Sequence, residues 1–439
     1  MKRLLITSAI LIAAATAPSA APAPPPLAAH QDGVVGPLLV PGDRVEIPYV
    51  VDTPGVKAPA GTLYVRNDLQ RSFTSVRLTP KRYHRATVHA VVPAGLIRGR
   101  ELVFYAVIRD PATGRSTTLA QRSSLILDAP VLVRLGAHRF GHTRAPEATV
   151  ASARPNQVGW LNEPGDHSGP VTFLVGRDRS IWLHDEVNHR LLVWGPGRPG
   201  AIARTVTLPF LNGEDVALGP AGTLYFTRGL PNPPRLVLYR MSIATGKLLW
   251  QSRLAGEVGG NTQLRLGPEG TLYALASDLG WVPVATPAGR PLSMAAQRRG
   301  AGEQPVAAGL RLLSETYLPD ESHAAREVRY ALIDRGGRIV RAWRVVSRTN
   351  INENFTTPTL VVGGLVVVLD VTAGTPPSYK WEYEVLRLGA SGAPARFSLP
   401  VAAYGEHLFA EIRVGPDGKL YQLASSPSTG ARVIRYSLR

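Results

Sequence analysis

Residues 219–225 read Gly-Pro-Ala-Gly-Thr-Leu-Tyr, and the pattern returns as Gly-Pro-Glu-Gly-Thr-Leu-Tyr at 267–273 and as Gly-Pro-Asp-Gly-Lys-Leu-Tyr at 415–421. Each copy follows a short, largely apolar run. An apolar run, a tight turn that contains glycine and a second apolar run form the pattern of a β-hairpin. The sequence therefore predicts a hairpin that recurs along the chain.

Further copies of this hairpin are spaced along the second part of the chain. Degenerate copies lie at 175–182 and 362–368, and a weak copy lies at 308–313. The turns are then separated by roughly 43 to 54 residues, a repeat length typical of propeller blades of about four strands each. The sequence therefore predicts an all-β fold that contains a six-bladed β-propeller over residues 156–439.

The first 29 residues are predicted to be a secretory signal peptide with a proline-rich linker. A basic start is followed by an uncharged apolar stretch at 4–15 and by small residues and prolines at 18–26. Two cleavage sites fit the preference for small residues, at 19–21 and at 27–29. Because the apolar stretch is too short for a resident membrane helix, we expect a secreted or extracytoplasmic protein without a transmembrane span after cleavage.

Composition limits the chemistry and suggests partners. The chain has no cysteine, which excludes a lipoprotein anchor, disulfides, thiolate metal sites and a cysteine nucleophile. The formal net charge is +17, and arginine supplies most of the positive side chains. For an exported protein, such a surface favours anionic envelope polymers, acidic glycans or lipid head groups over nucleic acid. The alternative is that the arginines are dispersed and solvated without a binding role.

Residues 30–129 are predicted to form a separate β-sandwich domain. Short alternating strands, for example at 45–50 and 102–108, follow one another with turns about every ten residues. The stretches at 61–66, 92–95 and 110–117 resemble immunoglobulin-like and fibronectin-type-III-like modules of secreted bacterial proteins. The resemblance implies a module that spaces or presents its neighbour. Prolines and glycines then indicate a linker over residues 130–155.

The first predicted blade carries a family signature at 181–194. It resembles the NHL repeat, in which a strand ends in Asp, an Asn-His-Arg turn follows and the next strand begins with apolar residues. Asp185 and Asn188 can hydrogen-bond to the backbone of their own turn, and Arg190 can pair with Asp185 across it. The second blade ends in a Thr-Gly-aromatic corner at 241–251 that resembles quinoprotein repeats instead.

The last predicted blade has only three strands before the chain ends. A ring with an unpaired edge strand would be exposed to edge pairing, so a strand from upstream should complete this blade. The candidates are residues 148–151 and residues 157–160.

Positions counted back from each turn glycine separate into two groups. Those one and three residues before it are apolar and are predicted to pack between blades. Those four residues before it are polar and are predicted to surround the entrance of the central channel. The polar set is Thr172, Asp215, Gln263, Thr359 and Glu411.

Polar residues in the neighbouring loops suggest two kinds of site. Carboxylate and amide oxygens are the ligands of Ca²⁺ and related divalent ions. The metal candidates are Glu214, Asp215, Asn261, Asn354 and Glu411. Their types and positions are similar to those of six-bladed lactonases, which implies metal-assisted hydrolysis. A histidine-based hydrolase or lyase site is the other possibility. Its candidates are His167, His407 and Glu406, with Glu411 as an alternative partner. The remaining interpretation is that these side chains line a water-filled channel or cap strand ends.

The favoured function is therefore an exported binding or interaction protein of the cell envelope or the extracellular space. Its partner would be a protein, a glycan or a small molecule held at the channel face. A metal-dependent hydrolase or lyase with its site on that face is the alternative. The sequence contains no Gly-x-Ser-x-Gly elbow, His-Glu-x-x-His pair, phosphate loop or dinucleotide glycine pattern.

Overall fold

A computed structural model describes the chain over most of its length. The described residues are 26–31, 37–82, 86–163, 166–209, 213–231, 234–256, 263–276, 279–318, 325–352, 358–375, 378–404 and 410–438. They form an all-β structure in which one α-helix, α1 (Met294–Arg299), is only six residues long. Within these ranges, no helix is long and apolar enough to cross a membrane.

The N-terminal domain is built from nine strands. They are β1 (Ala29–Gln31), β2 (Leu38–Leu39), β3 (Glu46–Val51), β4 (Ala60–Asn67), β5 (Thr74–Arg82), β6 (Ala86–Val91), β7 (Glu101–Arg109), β8 (Ser116–Thr118) and β9 (Arg122–Ile126). Their order in the sheet is β1-β3-β6-β5-β4-β7-β9-β2, with β8 paired to β7. Alternating side chains from these strands, such as Ile47, Leu63 and Phe104, enclose one apolar core.

The sheet of this domain is continuous, whereas a sandwich of two separate sheets was expected. The connection is β5, because its first half pairs with β4 and its second half pairs with β6. The sheet therefore curls around the core as a half-barrel.

Four strands precede the first blade. They are β10 (Val131–Arg134), β11 (Ala148–Ala153), β12 (Leu161–Glu163) and β13 (Asp166–Ser168).

Six sheets then follow in a propeller arrangement. Blade 1 contains β14 (Pro170–Val175), β15 (Ile181–Asp185), β16 (Arg190–Trp194) and β17 (Ile202–Thr207). Blade 2 contains β18 (Gly213–Gly219), β19 (Thr223–Pro231), β20 (Pro234–Ser242) and β21 (Leu248–Arg253). Blade 3 contains β22 (Leu264–Leu266), β23 (Leu272–Ala276) and β24 (Gly280–Ala285).

The remaining blades have extra or borrowed strands. Blade 4 contains β25 (Gln304–Ala307), β26 (Leu310–Tyr317), β27 (Glu327–Asp334) and β28 (Ile339–Val346), with β10 added in parallel to β28. Blade 5 contains β29 (Asn350–Ile351), β30 (Thr359–Val361), β31 (Gly364–Ala373), β32 (Lys380–Leu388) and β33 (Ala395–Pro400). Blade 6 contains β34 (Ile412–Val414), β35 (Leu420–Ser426) and β36 (Gly430–Tyr436), with β11 paired to β36.

The recurring turn closes the innermost hairpin of a separate blade each time, as predicted. Its first glycine is required because the tyrosine at the end of the motif lies against it. A Cβ atom would come within 2.6 Å of the Tyr225 ring at Gly219, 2.8 Å of Tyr273 at Gly267 and 2.5 Å of Tyr421 at Gly415. Its second glycine has a positive φ, from +68° to +84° in the three copies. The motif therefore fixes both the turn and the tyrosine.

Ring closure also follows the prediction. Residues 148–153 form β11, which pairs antiparallel with β36 and gives blade 6 its fourth strand. The linker expected at 130–155 thus contributes two strands to the propeller, β11 and β10. The sequence does not reveal β10, because its partner strand β28 lies about 200 residues further along the chain.

The expected packing holds for only one of the two apolar positions. Residues three before the turn glycine, such as Phe173 and Val216, are buried between blades. Residues one before it are partly or fully exposed, including Leu266 at 38% and Val362 at 95%. At this second position the prediction was wrong for Leu266 and Val362, whereas Val175, Leu218 and Val414 are partly buried against the cores between blades.

The expected ion pair between Arg190 and Asp185 holds the corner after β15 in blade 1, and Asn188 bonds to the Asp185 side chain where a bond to the turn backbone was expected. Arg190 Nε donates to Asp185 Oδ2 over 2.8 Å, and the Asn188 amide donates to the same oxygen over 3.0 Å. The other oxygen, Asp185 Oδ1, accepts the backbone N–H of Gly159. The buried Asp185 carboxylate therefore fixes the corner and also ties it to the segment that precedes blade 1.

The N-terminal domain contacts blade 4 through a buried ion cluster. Arg329 is completely buried, and its guanidinium donates to both oxygens of Asp43 and to Glu327 Oε1. Its Nη1 also donates to the backbone carbonyl of Leu38. The ring of Tyr317 lies 3.8 Å from the Arg329 guanidinium carbon. This contact connects residues about 290 positions apart in the sequence.

Candidate functional site

The polar residues four before the turn glycines lie at one end of the innermost strands. Three of them, Thr172, Asp215 and Glu411, are fully buried, and Gln263 and Thr359 are partly buried. The sequence analysis expected these residues around the entrance of the central channel, whereas three of them are enclosed among the innermost strands. Burial of two carboxylates in this polar layer requires hydrogen-bond partners, and the structure supplies them.

Asp215 connects four blades. Its Oδ1 accepts hydrogen bonds from Thr172 Oγ1 of blade 1 over 3.0 Å and from Arg413 Nη2 of blade 6 over 2.6 Å. Its Oδ2 accepts the backbone N–H of Leu264 in blade 3 over 2.9 Å. Both oxygens of this carboxylate are therefore engaged in holding the innermost strands together.

Glu411 has a similar position between blades 5 and 6. Its Oε2 accepts from the hydroxyl of Tyr383 over 2.7 Å, and its Oε1 accepts from Gln422 Nε2 and from the backbone N–H of Ala402. Burial raises the pKa of Glu411, and these hydrogen bonds oppose that rise. Glu411 thus joins the strands of two blades at the same depth as Asp215.

The other metal candidates lie outside the part of the chain that can be described. Asn261 and Asn354 fall in undescribed loops, and the side chain of Glu214, in β18, is likewise outside the description. Among the residues that the structure does describe, no three His, Asp or Glu side chains are arranged to hold a metal ion.

Of the two histidine candidates, only His167 is described, because Glu406 and His407 fall in the undescribed segment 405–409. His167 lies in β13, opposite Asn162 of β12. Its ring meets Tyr404 edge to face, with the ring centroids 6.0 Å apart. The Tyr404 hydroxyl donates to Asn162 Oδ1, so this hairpin packs against the segment that follows blade 5.

A cavity of about 930 Å³ extends from this polar layer toward the recurring turns. Its wall is mainly apolar and comes from the innermost strands and turns of blades 1, 2, 3, 5 and 6. Apolar lining residues include Leu174, Leu218, Leu264, Leu266, Val368, Ile412 and Val414. The charged lining residues are Arg177, Asp178, Arg204, Arg265 and Arg413. The described wall therefore contains four cationic side chains and one carboxylate.

Arg265 and Arg413 are the charged groups deepest in this cavity. Arg265 donates from Nη1 to the carbonyl of Pro358 over 3.2 Å and from Nη2 to Thr359 Oγ1 over 3.1 Å. Burial lowers the pKa of Arg265 to about 10, and the positive charge of Arg413 acts in the same direction. The two positively charged guanidinium groups therefore repel each other across the cavity.

The remaining charged groups are held closer to the turns. Arg204 lies over the ring of Trp182, with its guanidinium carbon 4.7 Å from the ring centroid. Asp178 accepts hydrogen bonds from the hydroxyl and the backbone N–H of Ser180. These bonds keep the pKa of Asp178 below its usual value. Asp178 is thus engaged within its own turn.

The sequence analysis did not identify Arg265 and Arg413. Both lie two residues before a turn glycine, between the positions one and three residues before it that the sequence analysis considered. The same position holds Leu174, Ala217 and Val361 in other blades. The available signal was that arginine occupies it in two blades where the others have an apolar or small residue.

Comparison with known proteins gives no family for this chain. No family model matches it, and no curated protein matches it. Among solved structures, one match is the crystal structure of the S-layer protein rSbsC(31-844), with 10% sequence identity and a TM-score of 0.15. The match covers 92% of this chain and 63% of that chain. A TM-score this low supports no conclusion about fold or function.

Proposed function

We propose that the protein is an exported binding protein of the cell envelope or the extracellular space, with its ligand held in the channel cavity of the propeller. The cavity carries this proposal. At about 930 Å³ with a mainly apolar wall and a few polar groups at its deep end, it has the size and lining of a small-molecule site. A small molecule, or the terminal group of an envelope polymer or glycan, would fit such a space.

The structure favours the earlier of the two possible cleavage sites for an exported protein. Leu27 is buried in the core of the N-terminal domain. Ala28 exchanges hydrogen bonds with the turn that follows β3, because its N–H donates to Thr53 and its carbonyl accepts the N–H of Asp52. Cleavage near 27–29 would remove these contacts. The exported form should therefore begin near residue 22, which its intact mass would test.

The N-terminal domain is proposed to space or present the propeller. Strands on both sides of β5 contribute side chains to one core, an arrangement compatible with the immunoglobulin-like and fibronectin-type-III-like resemblance. The hydrogen bonds of Asp185 with Asn188 and Arg190 are compatible with the NHL-like resemblance of the first blade.

A metal-dependent hydrolase or lyase remains the competing proposal. Ca²⁺ or Zn²⁺ at Asp215 would have to displace the Arg413, Thr172 and Leu264 donors that occupy its carboxylate. The test is thermal unfolding with each metal and with chelator, in the wild type and in Asp215→Asn. If this function applies, a metal at hundredfold excess over its dissociation constant stabilises the wild type by about 2.7 kcal/mol. The binding proposal expects no metal-dependent shift.

Ligand capture can be tested without knowing the ligand. Native mass spectrometry of the exported protein should show a bound mass that is released on denaturation. Leu266→Trp would fill the cavity from its exposed edge and should abolish this bound mass, whereas Leu249→Trp, on the exposed outer strand of blade 2, should not. An exported protein that carries no bound mass, and that binds no apolar dye such as Nile red, would contradict the proposed function.

A further inference from the structure

We propose that the channel cavity binds an anionic group, a carboxylate or a phosphate, between Arg265 and Arg413, on a ligand whose remaining part is apolar. This inference rests on the proposed function and names the chemistry of its ligand.

Among the described residues, the positive charges at the deep end of the cavity outnumber the carboxylates. Arg413 pairs with Asp215, whose carboxylate is already shared with two other donors. Arg265 donates only to neutral oxygens of Pro358 and Thr359 among the described residues. Of the two guanidinium groups, only that of Arg413 bonds to a carboxylate among the described residues. In addition, the buried Nε of Arg413 has no hydrogen-bond partner within the described part of the chain. An anion between the two side chains would balance the charge and accept from free donors.

The innermost hairpin forms in other blades without an arginine at the position of Arg265 and Arg413. The two arginines occupy equivalent positions in blades 3 and 6, while Leu174, Ala217 and Val361 occupy that position in blades 1, 2 and 5. Those blades form the same innermost hairpin with apolar side chains at this point. A charged pair that is costly to bury, and that the repeat does without elsewhere, points to a ligand.

The rest of the cavity indicates what the anionic group is attached to. Inorganic phosphate would leave most of the 930 Å³ unfilled. Beyond the arginines, the wall continues with Leu218, Leu266 and Val414 toward the turns. The partly exposed Leu266 and its apolar neighbours in this part of the wall suit an apolar body. A fatty or aromatic carboxylate and the phosphate end of a lipid share this chemistry.

The experiment compares four probes on the full mature protein by thermal unfolding, each below its micelle concentration. Octanoate and octyl phosphate carry both parts of the proposed ligand, octanol carries the apolar part alone, and inorganic phosphate carries the anion alone. Octanoate and octyl phosphate should raise the melting temperature in a concentration-dependent way, and the neutral alcohol and the bare ion should raise it much less. Preference between the two anionic probes separates a carboxylate ligand from a phospholipid source.

Arg265→Gln is the decisive variant. It should weaken the binding of both anionic probes by at least about tenfold, because it removes a charged hydrogen-bond donor. Its melting temperature without probe should equal or exceed that of the wild type, since a like charge next to Arg413 is removed. A purely structural arginine would instead lower it. The matched control is Arg311→Gln, an exposed arginine outside the cavity that pairs with Glu303, and it should keep the response.

The double variant Arg413→Gln/Asp215→Asn removes both members of the ion pair and gives a second test. It should likewise lose the rise in melting temperature on addition of octanoate or octyl phosphate. Three outcomes would overturn the inference: no response to either anionic probe, an equal response to octanol, or an unchanged response in Arg265→Gln. If octanol or Nile red still binds and Leu266→Trp blocks it, the proposed function survives this failure.

Discussion

Two groups of arginines are withdrawn from solvent in this protein, and they differ in how their charge is compensated. At the contact between the N-terminal domain and blade 4, Arg329 is enclosed by Asp43, Glu327 and the Leu38 carbonyl, below the ring of Tyr317. Burial opposes its charge, but the two carboxylates outweigh this and raise the pKa of Arg329. In the channel, the pKa of Arg265 is lowered instead.

The difference separates a structural ion cluster from a candidate binding site. The Arg329 cluster contains the carboxylates it needs, and Glu327 also holds Arg344 through two hydrogen bonds. The channel arginines lie beside a space of about 930 Å³, and among the described residues only Arg413 bonds to a carboxylate. The Arg329 cluster therefore joins the N-terminal domain to blade 4, whereas the channel arginines are the proposed partners of an anionic ligand.

The largest expected effect is at the compensated cluster. Arg329→Met leaves Asp43 and Glu327 buried without their shared cation, so the free energy of unfolding should fall by about 3–5 kcal/mol. Urea unfolding measures it. Arg311→Met, at an exposed pair, should change the free energy by less than about 1 kcal/mol. Equal effects of the two variants would remove the distinction drawn above.

Glu315 makes the same cluster sensitive to pH. Its Oε2 accepts the N–H of Leu38, and burial raises its pKa from 4.5 to about 7. Arg329 lowers this pKa, while Asp43 and Glu327 raise it. Because the folded state holds this proton more tightly than the unfolded chain, its contribution to stability is complete below pH 4.5 and is lost as the pH rises through about 7.

Glu315→Gln should remove that decline while keeping an acceptor for Leu38. The measurement is urea unfolding from about pH 5 to pH 8, taken as the difference between wild type and variant. Glu303→Gln, at an exposed pair, serves as the control and should keep the wild-type slope. A Glu315→Gln variant with the same slope as the wild type would show that Glu315 does not titrate in this range.

A smaller effect is expected at two equivalent tyrosine hydroxyls, because one has a hydrogen-bond partner and the other has none among the described residues. The Tyr421 hydroxyl donates to Asp417 Oδ2, whereas the buried Tyr225 hydroxyl of the equivalent turn has no described partner, because Ala221 precedes Gly222 there. Tyr421→Phe should cost about 1 kcal/mol, and Tyr225→Phe should cost nothing or stabilise slightly. Thermal unfolding of the two variants tests this prediction. A greater loss of stability in Tyr225→Phe than in Tyr421→Phe would show that the Tyr225 hydroxyl does have a hydrogen-bond partner.

The smallest effect on stability is expected at the proposed binding site. Arg265→Met removes a cation that has only neutral acceptors among the described residues, so the free energy of unfolding should change by less than about 1 kcal/mol, or increase. Urea unfolding without added anions measures this. A loss as large as that of Arg329→Met would show that Arg265 is part of the structural framework.

The sequence predicts those features whose causes are local. The turn glycines could be predicted because their positive φ and their contact with the motif tyrosine are set within seven residues. The closing strand β11 could be predicted by counting strands in the last blade. The parallel strand β10 could not, since its partner β28 leaves no pattern near it in the sequence.

The site was predictable only in part for the same reason. A polar layer could be read from residues four before each turn glycine. That Asp215 is engaged by Arg413, 198 residues away, depends on how separate blades meet around the channel. Comparing equivalent positions of the repeat identifies an unusual residue such as Arg265. It does not identify the partners of that residue, which lie in other repeats.

The most direct measurement is a crystal structure with 4-iodobenzoate, an anion with an apolar body whose iodine can be located by anomalous scattering. The account predicts the carboxylate within hydrogen-bond distance of Arg265 and Arg413, with the iodine in the apolar part of the cavity and no ligand at Arg329. A cavity without the compound at saturating concentration, or a carboxylate turned away from both channel arginines, would contradict it.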